Sequence, residues 1–310
     1  MSINAKHLKG EDLLGLPLIE LVSLAHRIRR NNLGNRFELC SIMNAKSGLC
    51  NEDCKFCAQS SLHKADIPVY PLKEREEIVN AARTAKEIGA ERFGIVTSGN
   101  SIGQEEIDLV TEAIYQIQKD DTPVSLCASL GVLNKRQLRQ LKEAGLTRYH
   151  HNIETSPRFY PHVVSSHHFQ ERINTIHTAK ELGLEVCSGG IIGMGETWQD
   201  RLDMAYILKE LDVDSVPINL LVPVKGTPLQ SMKPISCRDA IKTIAIFRII
   251  LEDKTIKIAA GRETILKDFQ ATGFLAGANG MLIGGYLTIQ GREIEEDRRL
   301  FEEIKEIWTE

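Results

Sequence analysis

A regular alternation of short apolar runs with helical patterns constrains the fold of this chain more than any other feature. Eight runs predict strands, at residues 37–44, 92–97, 124–128, 148–153, 185–192, 215–220, 257–260 and 280–283. Strands that alternate with helices favour βα units and a parallel sheet. Eight such units within 310 residues predict a closed (β/α)8 barrel of the TIM type.

Helical periodicity fills the segments between the predicted strands. It predicts helices at residues 17–31, 74–89, 104–119, 135–144, 168–182, 197–211, 236–251, 265–272 and 294–308. The first helix precedes the first strand, so we expect it to close one end of the barrel. No linker or repeat interrupts the alternation, which favours one domain over residues 1–310, with an N-terminal helical extension and a C-terminal closing helix.

The composition is that of a chain with a sizeable core, since 42% of the residues are hydrophobic and 26% are charged. A net charge of −4 gives no general attraction to nucleic acid or to an anionic membrane. No apolar run reaches the length of a membrane span, and the N-terminus lacks the pattern of a signal peptide. We therefore expect a soluble, cytoplasmic protein that binds neither nucleic acid nor membrane.

Three of the seven cysteines lie in one loop, directly after the first predicted strand. Cys50, Cys54 and Cys57 have the spacing C-x3-C-x2-C, so their thiolates can converge on one site. A structural zinc ion usually takes four protein ligands, and no second pair of ligands follows at a suitable spacing. Three thiolates instead suit a 4Fe–4S cluster with one iron open to a small molecule. A three-cysteine zinc site is the alternative.

The cysteine loop also resembles the signature of the radical S-adenosylmethionine (SAM) enzymes, because the aromatic Phe56 precedes its last cysteine. The resemblance implies that the three loop cysteines hold a 4Fe–4S cluster whose open iron chelates SAM. An electron from the cluster would then cleave SAM to a 5′-deoxyadenosyl radical. By the same resemblance, Ser98 and Gly99 after the second strand bind SAM; from the residues alone, a simple Ser-Gly-Asn turn is the alternative.

Polar side chains end the fourth predicted strand. The alternation of a strand sends His150, Asn152 and Glu154 to the same side. An inward asparagine offers both donors and an acceptor to an amide-like ligand, and a carboxylate can hold ribose hydroxyls. A capping cluster before Pro157 is the structural alternative.

Several segments together resemble the biotin synthase family. They are residues 150–156, 187–196, 216–219, 225–228, 259–263 and 275–279. The resemblance implies that Asn152 and Asn219 bind the substrate dethiobiotin, that Glu154 contacts the SAM ribose, and that the glycine-rich run, including Ile192 and Gly193, lies against the cofactor. His150, which departs from the family pattern, and Thr288 in the last barrel loop are further candidates for binding the substrate.

The resemblance also implies an auxiliary Fe–S cluster, either 2Fe–2S or larger, inside the barrel. Cys127, Cys187 and Arg262 match three of its four ligand positions, but Gly94 occupies the fourth. Cys40, on the strand next to that of Gly94, offers a physical replacement, and Gly94 would leave room for it. The alternative is that these are ordinary core cysteines. Cys237, at the start of a helix, is expected to be structural.

The activity implied by the biotin synthase family is a radical insertion of sulfur into dethiobiotin. The carbons involved are unactivated, so a primary radical rather than an acid or base must remove their hydrogens. An electron donor such as flavodoxin or ferredoxin, the Fe–S assembly machinery and a homodimer are implied with it. The alternatives are a related radical SAM enzyme of the hydrogenase-maturation or methylornithine-synthase type, and a non-catalytic Fe–S or zinc protein.

Overall fold

Parallel strands form a closed barrel in the computed structural model, which describes residues 10–120, 124–287 and 291–309. The strands of this described part are β1 Glu38–Lys46, β2 Arg92–Thr97, β3 Ser125–Ser129, β4 Arg148–His150, β5 Glu185–Cys187, β6 Gly190–Ile192, β7 Ser215–Leu220, β8 Thr255–Ile258 and β9 Gly280–Leu282. They are ordered β5-β4-β3-β2-β1-β9-β8-β7-β6, and β5 also pairs with β7. The predicted (β/α)8 barrel is confirmed.

The ninth strand arises because the fifth position of the barrel is divided. The prediction of one strand at 185–192 was wrong at Ser188 and Gly189, which separate β5 from β6. A Cβ atom at Gly189 would lie only 2.0 Å from the carbonyl oxygen of Pro217, so the chain passes too close to β7 for any side chain. Both halves nevertheless pair with β7, at Cys187–Ser215 and at Gly190–Ile218.

Helices cover the outside of the sheet. They are α1 Gly10–Gly15, α2 Leu18–Leu33, α3 Arg75–Glu87, α4 Gln104–Gln118, α5 Lys135–Ala144, α6 Tyr160–Val163, α7 Phe169–Glu181, α8 Trp198–Glu210, α9 Cys237–Leu251, α10 Arg262–Ile265, α11 Gln270–Leu275 and α12 Ile294–Thr309. The sequence did not predict α1 and α6. Within the described ranges, no helix is both long and apolar enough to cross a membrane.

Side-chain caps decide where several of these helices begin. The side chains of Asn134, Thr197 and Ser236 each accept a hydrogen bond from a backbone N–H in the first turn of α5, α8 and α9. The predicted helix at 265–272 is instead broken into α10, a short 3-10 helix and α11, because Lys267 adopts a positive φ of 49°.

An aromatic cluster seals the end of the barrel where the strands begin. The ring of Phe37, directly before β1, lies 5.2 Å from Phe274 of α11 and 5.6 Å from Trp308 of α12. The guanidinium of Arg29 in α2 lies 3.6 Å from the Trp308 ring. The first long helix therefore packs at this end, as predicted, and leaves the opposite end of the barrel open.

We predict that Phe274→Ala lowers the free energy of unfolding by about 3–5 kcal/mol, because it empties a fully buried aromatic site in this cluster. Phe269→Ala is the matched control, since that ring is 60% exposed. Denaturant unfolding of the anaerobically purified chain measures both variants. Equal effects of the two substitutions would contradict the assignment of Phe274 to the core.

Candidate functional site

A cavity of about 430 Å³ lies inside the barrel and reaches the loops that follow the strands. Six cysteines contribute to its wall, three from the loop after β1 and three from the strands themselves: Cys50, Cys54, Cys57, Cys40, Cys127 and Cys187. All six are free thiols. The cavity therefore contains an outer set of cysteines, Cys50, Cys54 and Cys57, and an inner set, Cys40, Cys127 and Cys187.

The outer set lies on a loop that folds back on itself. Cys57 N–H donates to the carbonyl of Cys54 at 2.9 Å, and Cys50 N–H donates to that of Gln59 at 3.2 Å. Burial raises the pKa of the Cys57 thiol to about 11 and that of Cys54 further still. A positively charged iron centre would favour the thiolates that burial disfavours.

The outer set fits an Fe–S cluster better than a single ion. No three His, Cys, Asp or Glu side chains in the described part of the chain come together closely enough to hold one metal ion. Three free thiols facing one cavity match a multi-iron cluster, whose irons keep the ligands further apart. The loop supplies three cysteines, whereas a structural zinc ion usually takes four protein ligands.

Hydrogen bonds join the cysteine loop to the segment between α6 and α7. The carboxylate of Asp53 accepts from the backbone N–H groups of Ser165, at 2.9 Å, and Ser166, at 3.0 Å. These bonds outweigh the effect of burial and hold the pKa of Asp53 below its usual range. Lys55 N–H donates to the carbonyl of Val163 at 2.9 Å. The loop is thus held in place before any ligand binds.

A second chain of contacts runs from the loop to α7. His167 Nδ1 lies 2.8 Å from a carboxylate oxygen of Glu52, and the guanidinium of Arg172 lies 3.0 Å from His167 Nε2. Arg172 also donates to the hydroxyl of Tyr160 at 2.8 Å. All but Tyr160 line the cavity. The sequence analysis missed Arg172 because a single arginine within a helix carries no signal of its own.

The inner set lies deeper, on β1, β3 and β5. Cys40 and Cys187 are almost fully buried, whereas Cys127 is partly open to the cavity. Burial raises the pKa of the Cys40 thiol to about 12. Burial acts in the same direction on Cys187, but Lys257 and His150 outweigh it and lower its pKa to about 6. The three thiols thus share one cavity but differ in their electrostatic surroundings.

Four charged side chains beside the inner cysteines form a group that we call the charged floor, of which Arg92 and Lys257 line the cavity itself. The carboxylate of Glu38 is the centre of this group, and it accepts from Arg148 at 2.7 Å, from Lys257 at 2.7 Å and from Arg92 at 2.9 Å. Lys257 also donates to Cys40 Sγ at 3.0 Å. The sequence analysis missed this group, although a lysine within the apolar strand Thr255–Ile258 was a usable signal.

The space beside Gly94 does not lie directly opposite Cys40, because Gly94 is two residues nearer to the carboxyl ends of the strands. Gly94 pairs with Ile42 and Cys127 across β1 and β3, whereas Cys40 pairs with Arg92. A Cβ atom at Gly94 would lie 3.1 Å from Ile42 and 3.9 Å from Cys127 Cβ. The side chain of Cys40 therefore does not occupy the space that a side chain at residue 94 would fill. It enters the cavity two residues nearer to the start of the strands.

The structure does not bring Arg262 together with the inner cysteines. Its guanidinium donates to Asp297 at 2.7 Å and to Gln270, and it is absent from the cavity wall. Arg262 begins α10 after Gly261, which has a φ of 86°, and its Nε donates at 3.1 Å to the hydroxyl of Tyr286, a residue of the cavity wall. Lys257, five residues earlier in β8, lines the cavity and donates to Cys40 Sγ at 3.0 Å.

Two asparagines and a glutamate reach the cavity at the ends of β4 and β7. Asn152 accepts from Gly189 N–H at 3.1 Å, and Asn219 accepts from Ala260 N–H at 3.2 Å. Glu154 is 9% exposed, has a positive φ of 68° and forms an isolated parallel bridge with Gly190. The prediction that the strand continues to residue 153 was wrong, since β4 ends at His150. The pKa of Glu154 is raised by burial, against the opposing charge of Arg172.

The remaining predicted residues divide into two groups. His150, which was predicted to bind the substrate, and Phe56, Ser98 and Gly99, which were predicted to bind the cofactor, line the cavity. Ser98 donates to the carbonyl of Gly48 at 2.7 Å, which ties β2 to the start of the cysteine loop.

Ile192 and Gly193, which were predicted to lie against the cofactor, are absent from the cavity wall. The wall includes Ile191 instead, since Ile192 is fully buried in the core and Gly193 N–H donates to Glu196 at 2.9 Å. Thr288 lies outside the described residues.

Two family profiles match the chain. The profile of the radical SAM superfamily matches residues 45–218, and that of the biotin and thiamin synthesis associated domain matches residues 217–305. The second segment supplies β8 and β9, which complete the sheet.

Curated relatives of the chain are named biotin synthases. The protein from Thermotoga petrophila is 50% identical over 97% of this chain and 99% of its own length. That from Thermotoga neapolitana is 54% identical over 88% of this chain and 98% of its own length. A biotin synthase from Pelotomaculum thermopropionicum is 48% identical, with 93% of this chain and 89% of the relative covered.

Solved structures with a similar fold are more distant in sequence. Methylornithine synthase (PylB) superposes with a TM-score of 0.82 at 22% identity, covering 96% of this chain and 93% of that one. The [FeFe]-hydrogenase maturase HydG has the same TM-score at 18% identity, covering 96% of this chain and 71% of that one. At these identities the likeness concerns the fold alone.

We predict that Asp53→Ala speeds amide exchange in the cysteine loop and in residues 163–166 by about tenfold, because a hydrogen bond to a charged group contributes about 1.5 kcal/mol. Asp66→Ala is the control, since that exposed carboxylate lies in the same connection. Hydrogen–deuterium exchange with mass spectrometry measures both variants. Unchanged exchange in Asp53→Ala would show that the loop is held by other contacts.

Proposed function

Since the chain belongs to the biotin synthase family of the radical SAM superfamily, we propose that its barrel cavity inserts sulfur into dethiobiotin to form biotin. The observation that carries this proposal is the presence of two sets of three cysteines in the wall of one cavity. One set is needed to start a radical and the other to hold a sulfur source. The cavity lies between them.

The outer set would hold the 4Fe–4S cluster of the superfamily, with Cys50, Cys54 and Cys57 as ligands. With SAM bound, this cluster would supply the electron that cleaves SAM to methionine and a 5′-deoxyadenosyl radical, and an inner cluster would supply the sulfur atom. The residues around the outer set suit the rest of SAM. Arg172 lines the cavity and offers a cation to a carboxylate, and Glu154 offers acceptors to ribose hydroxyls. Thr97 Oγ1 is buried without a partner and is free to bind a ligand.

Asn152 and Asn219 suit the ureido ring of dethiobiotin. A urea has one carbonyl acceptor and two N–H donors, and an asparagine side chain offers both kinds of partner. Each amide oxygen already accepts one backbone N–H, which fixes the orientation of the side chain and leaves one lone pair and at least one N–H for the ring. The asparagines would therefore orient the substrate without rearrangement.

The inner set would hold the auxiliary cluster. Cys40, Cys127 and Cys187 are its proposed ligands, without Arg262, which is paired with Asp297 instead. Three thiolates are enough for a cluster whose remaining iron sites carry sulfide. Placing this sulfur source across the cavity from the outer set shortens the lifetime of a substrate radical and limits side reactions.

The alternatives receive less support. Relatives named biotin synthase are about 50% identical over nearly the whole chain, whereas methylornithine synthase and the hydrogenase maturase are about 20% identical. A non-catalytic scaffold would not need Asn152, Asn219 and Glu154 around an open cavity.

Partners and organisation follow from the same proposal. An electron donor such as flavodoxin or ferredoxin would reduce the outer cluster, and the Fe–S assembly machinery would build both clusters. We propose a homodimer, a cytoplasmic location in keeping with the free thiols, and one domain, since both family segments contribute strands to one sheet.

We predict that the anaerobically reconstituted chain forms biotin from dethiobiotin in the presence of SAM and a reductant, with 5′-deoxyadenosine as co-product. Cys54→Ala should abolish both products, because the outer cluster loses a ligand. Liquid chromatography with mass spectrometry measures both. Formation of 5′-deoxyadenosine without biotin in the wild-type chain would favour a related radical SAM enzyme acting on another substrate.

We further predict that Cys40→Ala and Cys127→Ala lose inner iron and sulfide but still cleave SAM to 5′-deoxyadenosine. Cys237→Ala is the matched control, since that thiol lies outside the cavity. Mössbauer spectra and iron and sulfide analysis count the clusters. An unchanged iron content in Cys40→Ala would remove Cys40 from the ligand set.

A further inference from the structure

Lys257 occupies a place in the cavity wall that the proposed function does not use. It is only 4% exposed and lies between two buried isoleucines of β8. A buried ammonium is costly unless it is paired and hydrogen-bonded. Its partners are a carboxylate oxygen of Glu38, at 2.7 Å, and the sulfur of Cys40, at 3.0 Å. One side chain therefore joins the charged floor of the cavity to an inner cysteine.

The strand between Lys257 and Glu38 leaves space for this contact. Gly280 of β9 pairs with Lys257 on one side and with Glu38 on the other. A Cβ atom at Gly280 would lie 3.0 Å from Lys257 Cγ and 2.9 Å from the backbone oxygen of Glu38. Any larger residue would push the lysine stem aside. The sheet thus accommodates a lysine that crosses above Gly280 to reach Glu38 and Cys40.

The charged floor has more positive than negative groups. Three cations, Arg92, Arg148 and Lys257, share two carboxylates, Glu38 and Glu185. Of the two, Glu185 has a side chain that is 43% exposed, so solvent screens its charge, while Glu38 is buried. The three cations therefore leave an excess positive charge next to the inner cysteines. An anionic group in this part of the cavity would be stabilised.

We propose that Lys257 is a positioning residue for the inner Fe–S cluster: anchored on Glu38, which itself lies 3.5 Å from Cys40 Sγ, its ammonium donates to that sulfur, holds it in place and raises the reduction potential of the cluster. The inference rests on the proposed function, because it requires an inner cluster. A hydrogen bond to a ligand sulfur and a nearby positive charge both favour the reduced cluster, which carries one more negative charge.

The test uses the full chain, reconstituted anaerobically with iron and sulfide. Lys257→Met removes the charge and the donor, Lys257→Arg retains both, and Lys46→Met is the control, since Lys46 pairs with Glu106 outside the cavity wall. Spectroelectrochemistry gives the potential of each cluster, and iron and sulfide analysis gives their number. We expect Lys257→Met to shift the inner potential to more negative values or to lose inner iron alone. Lys257→Arg and Lys46→Met should stay close to the wild type.

A wild-type inner potential and iron content in Lys257→Met would overturn the proposal, and so would equal loss of both clusters, which indicates a purely structural role. If Lys257→Met does not fold, the inner-cluster potentials of Lys257→Gln and Lys257→Arg are compared instead. The proposal requires a more negative inner potential in the glutamine variant, and equal potentials would overturn it. A wild-type chain that takes up only one cluster refutes the proposed function and this inference with it, whereas two clusters with an insensitive potential refute the inference alone.

Discussion

The pairing of β7 with both β5 and β6 closes the sheet, and the arrangement of the site depends on that closure. In a closed parallel barrel, inward side chains of every strand face one interior, and all the carboxyl ends of the strands meet at one rim. Cys40, Cys127 and Cys187, which are far apart in sequence, reach one cavity for this reason. The loop after β1 brings three more cysteines over the same opening.

An interior that contains charges has to pair them. Glu38 does this for three cations at once, and its contacts with Lys257 and Arg148 outweigh burial and hold its pKa well below the usual range. Because each of these side chains is costly to bury alone, the group acts as a unit. These charged side chains take up space inside the barrel that apolar side chains would otherwise fill, so the inner cysteines have polar neighbours.

The rim is organised by a different set of contacts. Asp53 binds the cysteine loop to the segment before α7, and the chain from Glu52 through His167 to Arg172 continues onto the helix itself. The loop that would hold the outer cluster and the arginine that would meet SAM are thus parts of one hydrogen-bonded structure. Such support keeps reactive groups in a fixed geometry, which a radical reaction requires to avoid side products.

The sequence by itself determined the barrel and the outer cysteines, because βα alternation and the spacing of Cys50, Cys54 and Cys57 are local patterns. It also indicated Asn152 and Glu154 through their positions at the end of a strand, and Asn219 through the family resemblance. Only the tertiary structure decided that Lys257 donates to an inner cysteine while Arg262 pairs with Asp297, since the two residues are only five positions apart in the chain. Pairing of buried charges joins residues that are distant in sequence, and no local pattern records it.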